Sequence, residues 1–249
     1  MDYDKSEIAT IYDEARALTP DRSQQWRNLL SAHVDRRTVS VVVDLGCGTG
    51  RFTEMIAVHF DAKVIGIEPS RRMIDQARRK PVPKNVEFRQ SSADALPLQD
   101  GAADLIFMSQ VYHHLADPSV VARECCRVLR HGGHLCIRNT TREDDFIYRH
   151  FFPLQPLIDS DLPNGKNIES VFVDAGFSVI SHQIITQIVA PNWLTFVQNS
   201  ALRGDSFLAR LSDEEFDRGM TVLRAHGGEF GPDDAVTEEI DWLVFTKRS

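Results

Sequence analysis

The feature that most constrains the fold is an apolar run that ends in a glycine-rich turn, VSVVVDLGCGTG at residues 39–50. An unbroken β-branched run is typical of a strand that is buried on both faces, which is the central position of a parallel sheet. The glycines Gly46, Gly48 and Gly50 then predict a turn, and the spacing in RFTEMIAVHF predicts a helix after it. The stretch therefore predicts a strand–turn–helix unit of an α/β protein.

The segments that follow alternate between strand-like and helix-like patterns. Ser70 is placed to cap a helix over RRMIDQARRK, with Met73, Ile74 and Ala77 as its buried stripe. Such alternation predicts a doubly wound, mainly parallel sheet with right-handed crossovers. Further strands are predicted at residues 62–68, 85–90, 104–110, 133–139, 176–189 and 239–248, the last two as an antiparallel pair at one edge.

Two insertions interrupt this alternation. Residues 140–165 are rich in proline and aromatic side chains and are predicted to be irregular, whereas residues 192–230 are predicted to be largely helical. In the second insertion Ser212 and Glu215 have the spacing of a capping box. Before the insertions, a helix is predicted to begin at Asp117-Pro118 and to end at His131-Gly132-Gly133.

The composition argues against several classes of protein. A formal net charge of −8 does not suit a broad phosphate-binding surface, so nucleic acid is not expected as a partner. The basic residues of SRRMIDQARRK (70–80) have the spacing of a solvated helix face. No stretch approaches the ~18 apolar residues that span a bilayer, and the polar N-terminus is unlike a signal peptide. Four cysteines without CxxC spacing favour a reduced, cytoplasmic protein.

Acidic residues follow the ends of the second and third predicted strands. Glu68 stands where a carboxylate can accept hydrogen bonds from a ribose diol, and Asp94 stands where it can meet an adenine amino group. Each alone is more often a helix cap or a solvated loop residue, but ligands of open α/β sheets bind beyond the carboxyl ends of the strands. The ordered set therefore indicates a nucleoside site. Arg51 replaces the third glycine of the GxGxxG fingerprint, which disfavours a nicotinamide dehydrogenase.

Together these segments resemble the class I S-adenosylmethionine-dependent methyltransferases of the small-molecule type. The resemblance is carried by VVVDLGCGTGRFTEMIA, VIGIEPSRRMIDQAR, SSADALPLQDGAADLIFMSQVYHHLADP and ECCRVLRHGGHLCI, and it covers about residues 1–140 well. It implies a Rossmann-like, seven-stranded, mainly parallel sheet of order 3-2-1-4-5-7-6 with helical cap insertions. It also implies methyl transfer from S-adenosyl-L-methionine to a small organic acceptor, with S-adenosyl-L-homocysteine as product.

The resemblance also implies roles for individual residues. Asp44 and the Gly46–Gly50 loop hold the methionine portion of the cofactor, and Glu68 binds both ribose hydroxyls. Asp94 and the backbone N–H of Ala95 read the adenine. The implied cofactor-binding set is Asp44, Gly46, Cys47, Gly48, Gly50, Glu68, Pro69, Asp94, Ala95, Ser109 and Gln110.

We expect one domain over residues 1–249, with an N-terminal helical lid at 1–37, a cofactor-binding core at 38–140, and caps formed by the two insertions. In the lid, IYDEARALTP resembles the family's YD..R element, which places Tyr12 and Arg16 over the site. We expect a monomer or a homodimer, and no association with a membrane.

Two adjacent histidines follow the fourth predicted strand, on the rim where an acceptor must arrive. Neighbouring residues of a helix or turn point about 100° apart, so His113 and His114 do not share one ligand, and no metal site is expected. Our hypothesis is that His113 faces the acceptor as a general base while His114 packs structurally. The alternative is that both are structural.

Residues from the insertions and from the end of the fifth strand are candidates for an acceptor pocket. Each aromatic among them, taken alone, is more often an ordinary core or cap residue, but as a group they favour an apolar, aromatic-lined pocket. We expect Tyr12, Arg16, His113, Arg138 and Trp193 to contact the acceptor. Further candidates are Tyr148, His150, Phe151 and Phe152 for the apolar wall, and Asn139 and Arg142 for orienting a polar or carboxylate group.

Two other functions remain open at this point. RNA methylation is weakened by the acidic balance and by SQVY, which lacks the Asn/Asp-Pro-Pro-aromatic motif of many base-modifying enzymes. A cofactor-binding protein without transferase activity would retain the same glycines and acids.

Overall fold

The computed structural model describes residues 18–229, 231 and 233–248, and within them seven strands form one sheet. The strands are β1 (Val41–Leu45), β2 (Lys63–Glu68), β3 (Val86–Gln90), β4 (Ala103–Ser109), β5 (Leu129–Asn139), β6 (Phe177–Ala190) and β7 (Val236–Lys247). The helices are α1 (Pro20–His33), α2 (Thr53–Phe60), α3 (Arg71–Arg79), α4 (Pro118–Val128), α5 (Gln155–Asp161), α6 (Gly165–Asp174), α7 (Trp193–Ala201) and α8 (Asp213–Ala225).

The strand order is β3-β2-β1-β4-β5-β7-β6, which confirms the order implied by the resemblance. β1 pairs in parallel with β2 and β4, while β7 runs antiparallel between β5 and β6. The direction of strand progression reverses between β1 and β4. The carboxyl ends of these two strands therefore border the crevice in which ligands of open α/β sheets bind.

Helices cover both faces of the sheet, which explains why its central strands are continuously apolar. Alternate side chains of β4 separate into two clusters. Ile106 and Met108 join the cluster that includes α4 and α6, whereas Leu105 and Phe107 join the cluster that includes α1 and α2. The sheet is thus held between two apolar layers.

The predicted helix starts are confirmed by their caps. Ser70 Oγ accepts a hydrogen bond from Met73 N–H, and Asp117 Oδ1 accepts from Ser119 N–H at 2.9 Å. Ser212 and Glu215 form the predicted capping box at the start of α8. Each cap satisfies N–H groups that the first helical turn leaves without partners.

The predicted end of α4 at His131-Gly132-Gly133 is wrong. The helix ends at Val128, and Leu129 already takes an extended conformation and pairs with Ala103 of β4. Full burial of the Leu129 side chain favours this early entry into the sheet. The two glycines instead lie in an irregular stretch of β5, where pairing resumes at His134 with Leu105.

The two insertions pack on one another as a cap with its own apolar core. The first, predicted to be irregular, contains the short helix α5, and the second contains α7 and α8. Buried members of this cluster include Phe146, Phe152, Leu154, Ile158, Trp193, Phe196, Leu208 and Leu223. The division of the chain into a single domain with lid, core and cap stays a prediction.

The lid prediction falls largely on residues whose structure is not described, Tyr12 and Arg16 among them.

Within the described ranges, no helix combines the length and the apolar character needed to cross a membrane. Cys47, Cys125, Cys126 and Cys136 are free thiols.

The packing of Phe172 predicts a large loss of stability on truncation. Its fully buried ring lies 5.4 Å from the ring of Phe245 and 5.7 Å from that of Phe177, centroid to centroid. Phe172→Ala should lower the free energy of unfolding by about 3–5 kcal/mol in urea denaturation, because it leaves a cavity. Leu194→Ala, at a 67% exposed position, should change it by less than about 0.5 kcal/mol. Equal losses in both variants would contradict this assignment of the core.

Candidate active site

The glycine loop after β1 is folded onto the end of β2. The backbone N–H groups of Gly46 and Cys47 both donate to the carbonyl oxygen of Ile67, at 2.7 and 3.0 Å. Gly46 has φ +70°, and a Cβ added to it would lie 2.3 Å from a methyl group of Val111, so no larger residue fits. Gly48 also has positive φ, but a Cβ there would meet no atom of the described residues within 4 Å. At Gly48 the loop therefore presents backbone without a side chain at the end of the sheet.

Glu68 ends β2 and is 8% exposed. Its Oε2 accepts from Gly48 N–H and its Oε1 accepts from Ser70 N–H, each at 3.0 Å. These bonds tie the carboxylate between the glycine loop and the start of α3. A carboxylate has two acceptor oxygens, so one in this position suits the two hydroxyls of a diol. The adjacent Pro69 is exposed, and its carbonyl accepts from Gln90.

Asp44 lies inside β1 and is 2% exposed. Thr53 Oγ1 donates to its Oδ2 at 2.6 Å. Burial raises the pKa of the Asp44 carboxyl to about 7, and the negative charge of Glu68 adds to this rise, against the lowering effects of the Thr53 bond and the Arg51 charge. A neighbouring cation would lower the pKa of this carboxyl group and so favour its ionised form.

Asp94 and Ala95 lie on the exposed loop after β3. The backbone N–H of Ala95 makes a long contact of 3.4 Å to the carbonyl of Ser92. Because Gln90 at the end of β3 pairs with Glu68, this loop begins beside the carboxylate of β2. The structure therefore keeps both predicted acids at one edge, and their individual roles stay predictions.

The end of β4 is held by hydrogen bonds to β5. Gln110 has φ +58°, a conformation that residues other than glycine rarely adopt. Its side chain donates to Thr140 Oγ1 at 2.7 Å and accepts from Thr140 N–H at 3.0 Å. Ser109 Oγ accepts from Arg138 Nη1 at 3.1 Å. Such an over-determined backbone conformation is common at ligand sites.

Arg138 joins the sheet to the helices beside it. Its guanidinium carbon lies 4.9 Å from the ring centroid of Trp26 and 5.6 Å from that of Phe52. Its Nη2 donates to Gln187 Oε1 at 2.7 Å, and Gln187 donates in turn to Glu238 at 2.9 Å. With 2% exposure, Arg138 is a fixed part of the wall of the site.

His113 and His114 lie on one short 3₁₀ turn, Tyr112–His114, with ring centroids 4.1 Å apart. His113 Nδ1 lies 3.4 Å from Asn139 Oδ1, which also accepts from Tyr112 N–H at 3.1 Å. Asn139 Nδ2 donates to the Thr140 carbonyl, which fixes the orientation of the amide. A proton on Nδ1 of His113 leaves its Nε2 as the basic atom. Among the described residues, no cluster of three or more His, Cys, Asp or Glu is arranged to hold a metal.

A narrow cleft of about 50 Å³ lies where the glycine loop, the ends of β4 and β5, and the cap meet. Tyr148 and Phe196 form one wall, with their rings stacked 5.3 Å apart. Its lining residues are Arg22, Arg51, Gln110, Arg138, Tyr148, Val189, Phe196, Asn199 and Glu238. The structure therefore brings the predicted Gln110, Arg138 and Tyr148 together.

Other predicted acceptor residues lie away from this cleft. Trp193 is 6% exposed and donates from Nε1 to the carbonyl of Leu223, inside the cap core. Arg142 donates to the carbonyl of Leu162, and His150 pairs with Asp145. Phe151 and Phe152 belong to the cap cluster. Their roles in acceptor binding stay predictions.

Several lining residues were not foreseen. Arg22, Val189, Phe196, Asn199 and Glu238 come from parts of the chain that carry no local motif. The sequence pattern at Arg51 was used only to exclude the GxGxxG dinucleotide fingerprint. A cation directly after a glycine-rich turn also indicates a candidate residue of the site.

Residues 43–137, from β1 through most of β5, match a family described as methyltransferase domain. Residues 43–137 form a class I S-adenosylmethionine-dependent methyltransferase domain. A demethylmenaquinone methyltransferase from Lactococcus lactis is 28% identical to this methyltransferase over 204 residues, which are 71% of this chain and 81% of that one. Other curated relatives are 35–36% identical over shorter segments, and the chain spans 35–47% of their length.

Solved structures share the fold. A putative sarcosine dimethylglycine methyltransferase from Galdieria sulphuraria superposes with a TM-score of 0.66 at 15% identity, covering 98% of this chain and 99% of that one. Phosphoethanolamine N-methyltransferase 2 of Haemonchus contortus, solved with phosphomonomethylethanolamine and S-adenosylhomocysteine, has a TM-score of 0.65 at 17% identity, covering 97% of this chain and 57% of that one.

The cofactor of this methyltransferase is S-adenosyl-L-methionine. The residues present fit it. Gly48 has no side chain to hinder close approach, the Glu68 carboxylate can accept from a diol, and buried Asp44 suits a cationic partner.

The raised pKa of Asp44 predicts a pH-dependent stability. The unfolded carboxyl titrates near 3.8 and the folded one near 7, so between these values the folded protein binds more protons. The contribution of protonated Asp44 to the free energy of unfolding is complete below about pH 4. It is lost as the pH rises to 7, by up to about 1.4 kcal/mol per pH unit. Asp44→Asn keeps an acceptor for Thr53 and should remove this loss.

Urea denaturation of the ligand-free protein between pH 5 and 7 checks the prediction. The gain in unfolding free energy of Asp44→Asn over the parent should grow with pH, whereas exposed Asp174→Asn should show no such growth. A gain that is constant across the range would show that Asp44 is ionised throughout.

Proposed function

We propose that this methyltransferase transfers the methyl group of S-adenosyl-L-methionine to a small organic acceptor held in the cleft beneath the cap. The observation that carries the proposal is the position of the cleft: Arg51 follows the glycine loop and Gln110 follows β4, and both line it. The net charge of −8 does not favour a nucleic acid.

The predicted cofactor residues are assigned accordingly. Glu68 would hold the ribose diol, and Asp94 with the Ala95 N–H would contact the adenine. Asp44 and the glycine loop would hold the methionine portion. The remaining members of the proposed set are Cys47, Pro69, Ser109 and Gln110, around the ends of β1, β2 and β4.

When bound, the cofactor would supply a sulfonium methyl group to a lone pair of the acceptor, and the carbon–sulfur electron pair would leave with a neutral thioether. The task of the chain is to align the reacting atoms and to exclude water, an effect worth several kcal/mol. Stacked Tyr148 and Phe196 give the cleft a rigid apolar wall for this purpose.

Glu68→Gln tests the cofactor site. It keeps one acceptor oxygen for the loop but removes the charge, so affinity for S-adenosylhomocysteine should fall about a hundredfold in calorimetry. Glu54→Gln, at an exposed position of α2, should bind as the parent does. Unchanged affinity of Glu68→Gln would contradict the ribose assignment.

Transfer of labelled methyl from the cofactor to a fractionated metabolite pool, against bulk RNA, tests the acceptor class. We expect label in a small-molecule fraction. Label in RNA would favour nucleic acid methylation, and absence of label from every fraction, despite cofactor binding, would favour a cofactor-binding protein without transferase activity.

His113 is proposed as the group that removes a proton from the acceptor, since Asn139 orients its Nδ1. For the acceptor found by label transfer, His113→Ala should lower the single-turnover rate about 10²- to 10⁴-fold at unchanged cofactor affinity. His114→Ala, at the exposed neighbouring position, is the matched control and should keep the rate. Unchanged rates in His113→Ala would leave both histidines with structural roles.

We also propose a cytoplasmic location and a monomeric or homodimeric state. The free thiols of Cys47, Cys125, Cys126 and Cys136 support a reducing compartment. Sedimentation analysis would decide between the two oligomeric states.

A further inference from the structure

A chain of hydrogen bonds away from the cleft joins the start of the cap to one edge of the sheet. His182 of β6 lies between Glu169 of α6 and Asp241 of β7, with its Nδ1 2.7 Å from Glu169 Oε1 and its Nε2 in contact with Asp241 Oδ1. Asp241 Oδ2 accepts from Thr141 Oγ1 at 2.6 Å, and the backbone N–H of Thr141 donates to Asp144 Oδ2 at 2.7 Å. Four ionisable side chains thus connect β6, β7 and α6 to the segment that follows β5.

The geometry of His182 requires a charged imidazole. Both ring nitrogens face carboxylate oxygens, which only accept hydrogen bonds, so both nitrogens must carry a proton. A neutral imidazole has one N–H group and would lose one of the two bonds. Partial burial lowers the pKa of His182, but the hydrogen bonds to Asp241 and Glu169 outweigh this effect and hold the pKa above its ordinary value of 6.5.

Asp144 and Asp241 form a second contact that depends on a proton. Both residues are buried, with 0% and 3% exposure. Their carboxyl groups are within hydrogen-bond reach of each other, and because two carboxylates have no donor between them, one of the two must hold a proton. Burial raises the pKa of Asp144 to about 7, and the negative charge of Asp241 adds to this rise, against the lowering effect of the Thr141 N–H.

Other charged groups surround the cluster on the elements packed against it. Arg149 Nη1 donates to the carbonyl oxygen of Asp144 at 2.8 Å, and Arg142 donates to that of Leu162, so both arginines bind backbone in these contacts. The remaining charged neighbours are Glu143 and Asp145 of the first insertion, Lys166 of α6 and Glu239 of β7. Carboxylates are thus numerous around His182, which favours the imidazolium.

Solvent reaches the cluster through a cavity of about 480 Å³, whose lining includes His182, Asp241 and Lys166. The His182 side chain is 26% exposed, so its ring can exchange protons with water. The ring is nevertheless held closely, since a Cβ added to Gly165 would lie 2.8 Å from His182 Cε1. A change of bulk pH can therefore act on a side chain of fixed geometry.

The segment held by this cluster, residues 140–146, connects the candidate active site to the cap. Thr140 is hydrogen-bonded to Gln110 at the end of β4, and the preceding Asn139 contacts His113. At the other end of the segment, Phe146 belongs to the apolar core of the cap. Release of the segment would loosen both connections.

We infer that His182, Asp144 and Asp241 form a proton-dependent latch, which holds residues 140–146 on the edge of the sheet and releases them as the pH rises through neutrality. The folded pKa values of Asp144 and His182 both lie above their ordinary values of 3.8 and 6.5. The stabilisation by each group is therefore complete below its ordinary pKa and is lost as the pH rises through the folded one. The latch goes beyond the proposed function and does not depend on methyl transfer.

Hydrogen–deuterium exchange of the whole ligand-free chain at about pH 6 and about pH 8.5 tests the latch. After correction for the pH dependence of chemical exchange, protection of the amides in residues 140–146 should fall at least about tenfold more than that of β4, which reports global unfolding. Asp144→Asn keeps an acceptor for Thr141 and supplies an uncharged donor, so it should reduce this fall.

Two further variants separate the latch from other effects. Glu169→Gln removes a partly exposed charge beside His182 and should move the loss of protection to lower pH by about one unit. His150→Gln removes an exposed histidine paired with Asp145 in the same insertion, so it serves as the matched control and should leave the pH dependence unchanged.

Equal protection of residues 140–146 at both pH values, relative to β4, would overturn the inference. It would also be overturned by a fall that is the same in Asp144→Asn and in the parent, or by a pH midpoint that does not move in Glu169→Gln. If Asp144→Asn fails to fold by circular dichroism, the parent and Glu169→Gln still decide, because the substituted side chain of the latter is partly exposed. None of these readings uses the cofactor or an acceptor, so failure of the proposed function leaves them unchanged.

Discussion

The site depends on one backbone contact, the pair of hydrogen bonds from Gly46 and Cys47 to the carbonyl of Ile67. It folds the turn after β1 across the end of β2, and this brings Gly48 N–H within 3.0 Å of Glu68. Gly46 is required because a methyl group of Val111 occupies the space of its missing Cβ. The proposed cofactor-binding loop and the packing of the segment after β4 therefore both depend on this turn.

The fold divides the site between the two sides of β1. Asp44, Glu68 and Asp94 belong to β1, β2 and the loop after β3, whereas β5, β6, β7 and the cap border the cleft on the other side. Strand order produces this separation, because the direction of progression reverses between β1 and β4. Arg51 joins the two sides, because it lines the cleft and its charge also acts on Asp44.

The sequence predicted what is local. Strands β1 to β5, the caps at Ser70 and Asp117, and the acids at strand ends follow from patterns within a few residues, and the seven-strand order followed from the family resemblance. The early end of α4 was missed because burial of Leu129 against β4 overrides the glycine signal after it. The cleft was missed in part for a related reason: Arg22 and Glu238 lie at opposite ends of the chain, and only tertiary packing brings them together.

The fold itself orients the charged groups of the site. Buried Asp44, with its pKa near 7, ionises most readily when a cation is close. Arg138, fixed by Ser109, Gln187 and the Trp26 ring, keeps its charge at every physiological pH. Groups that are already oriented lower the entropy cost of an encounter, and they do so without taking part in a bond change.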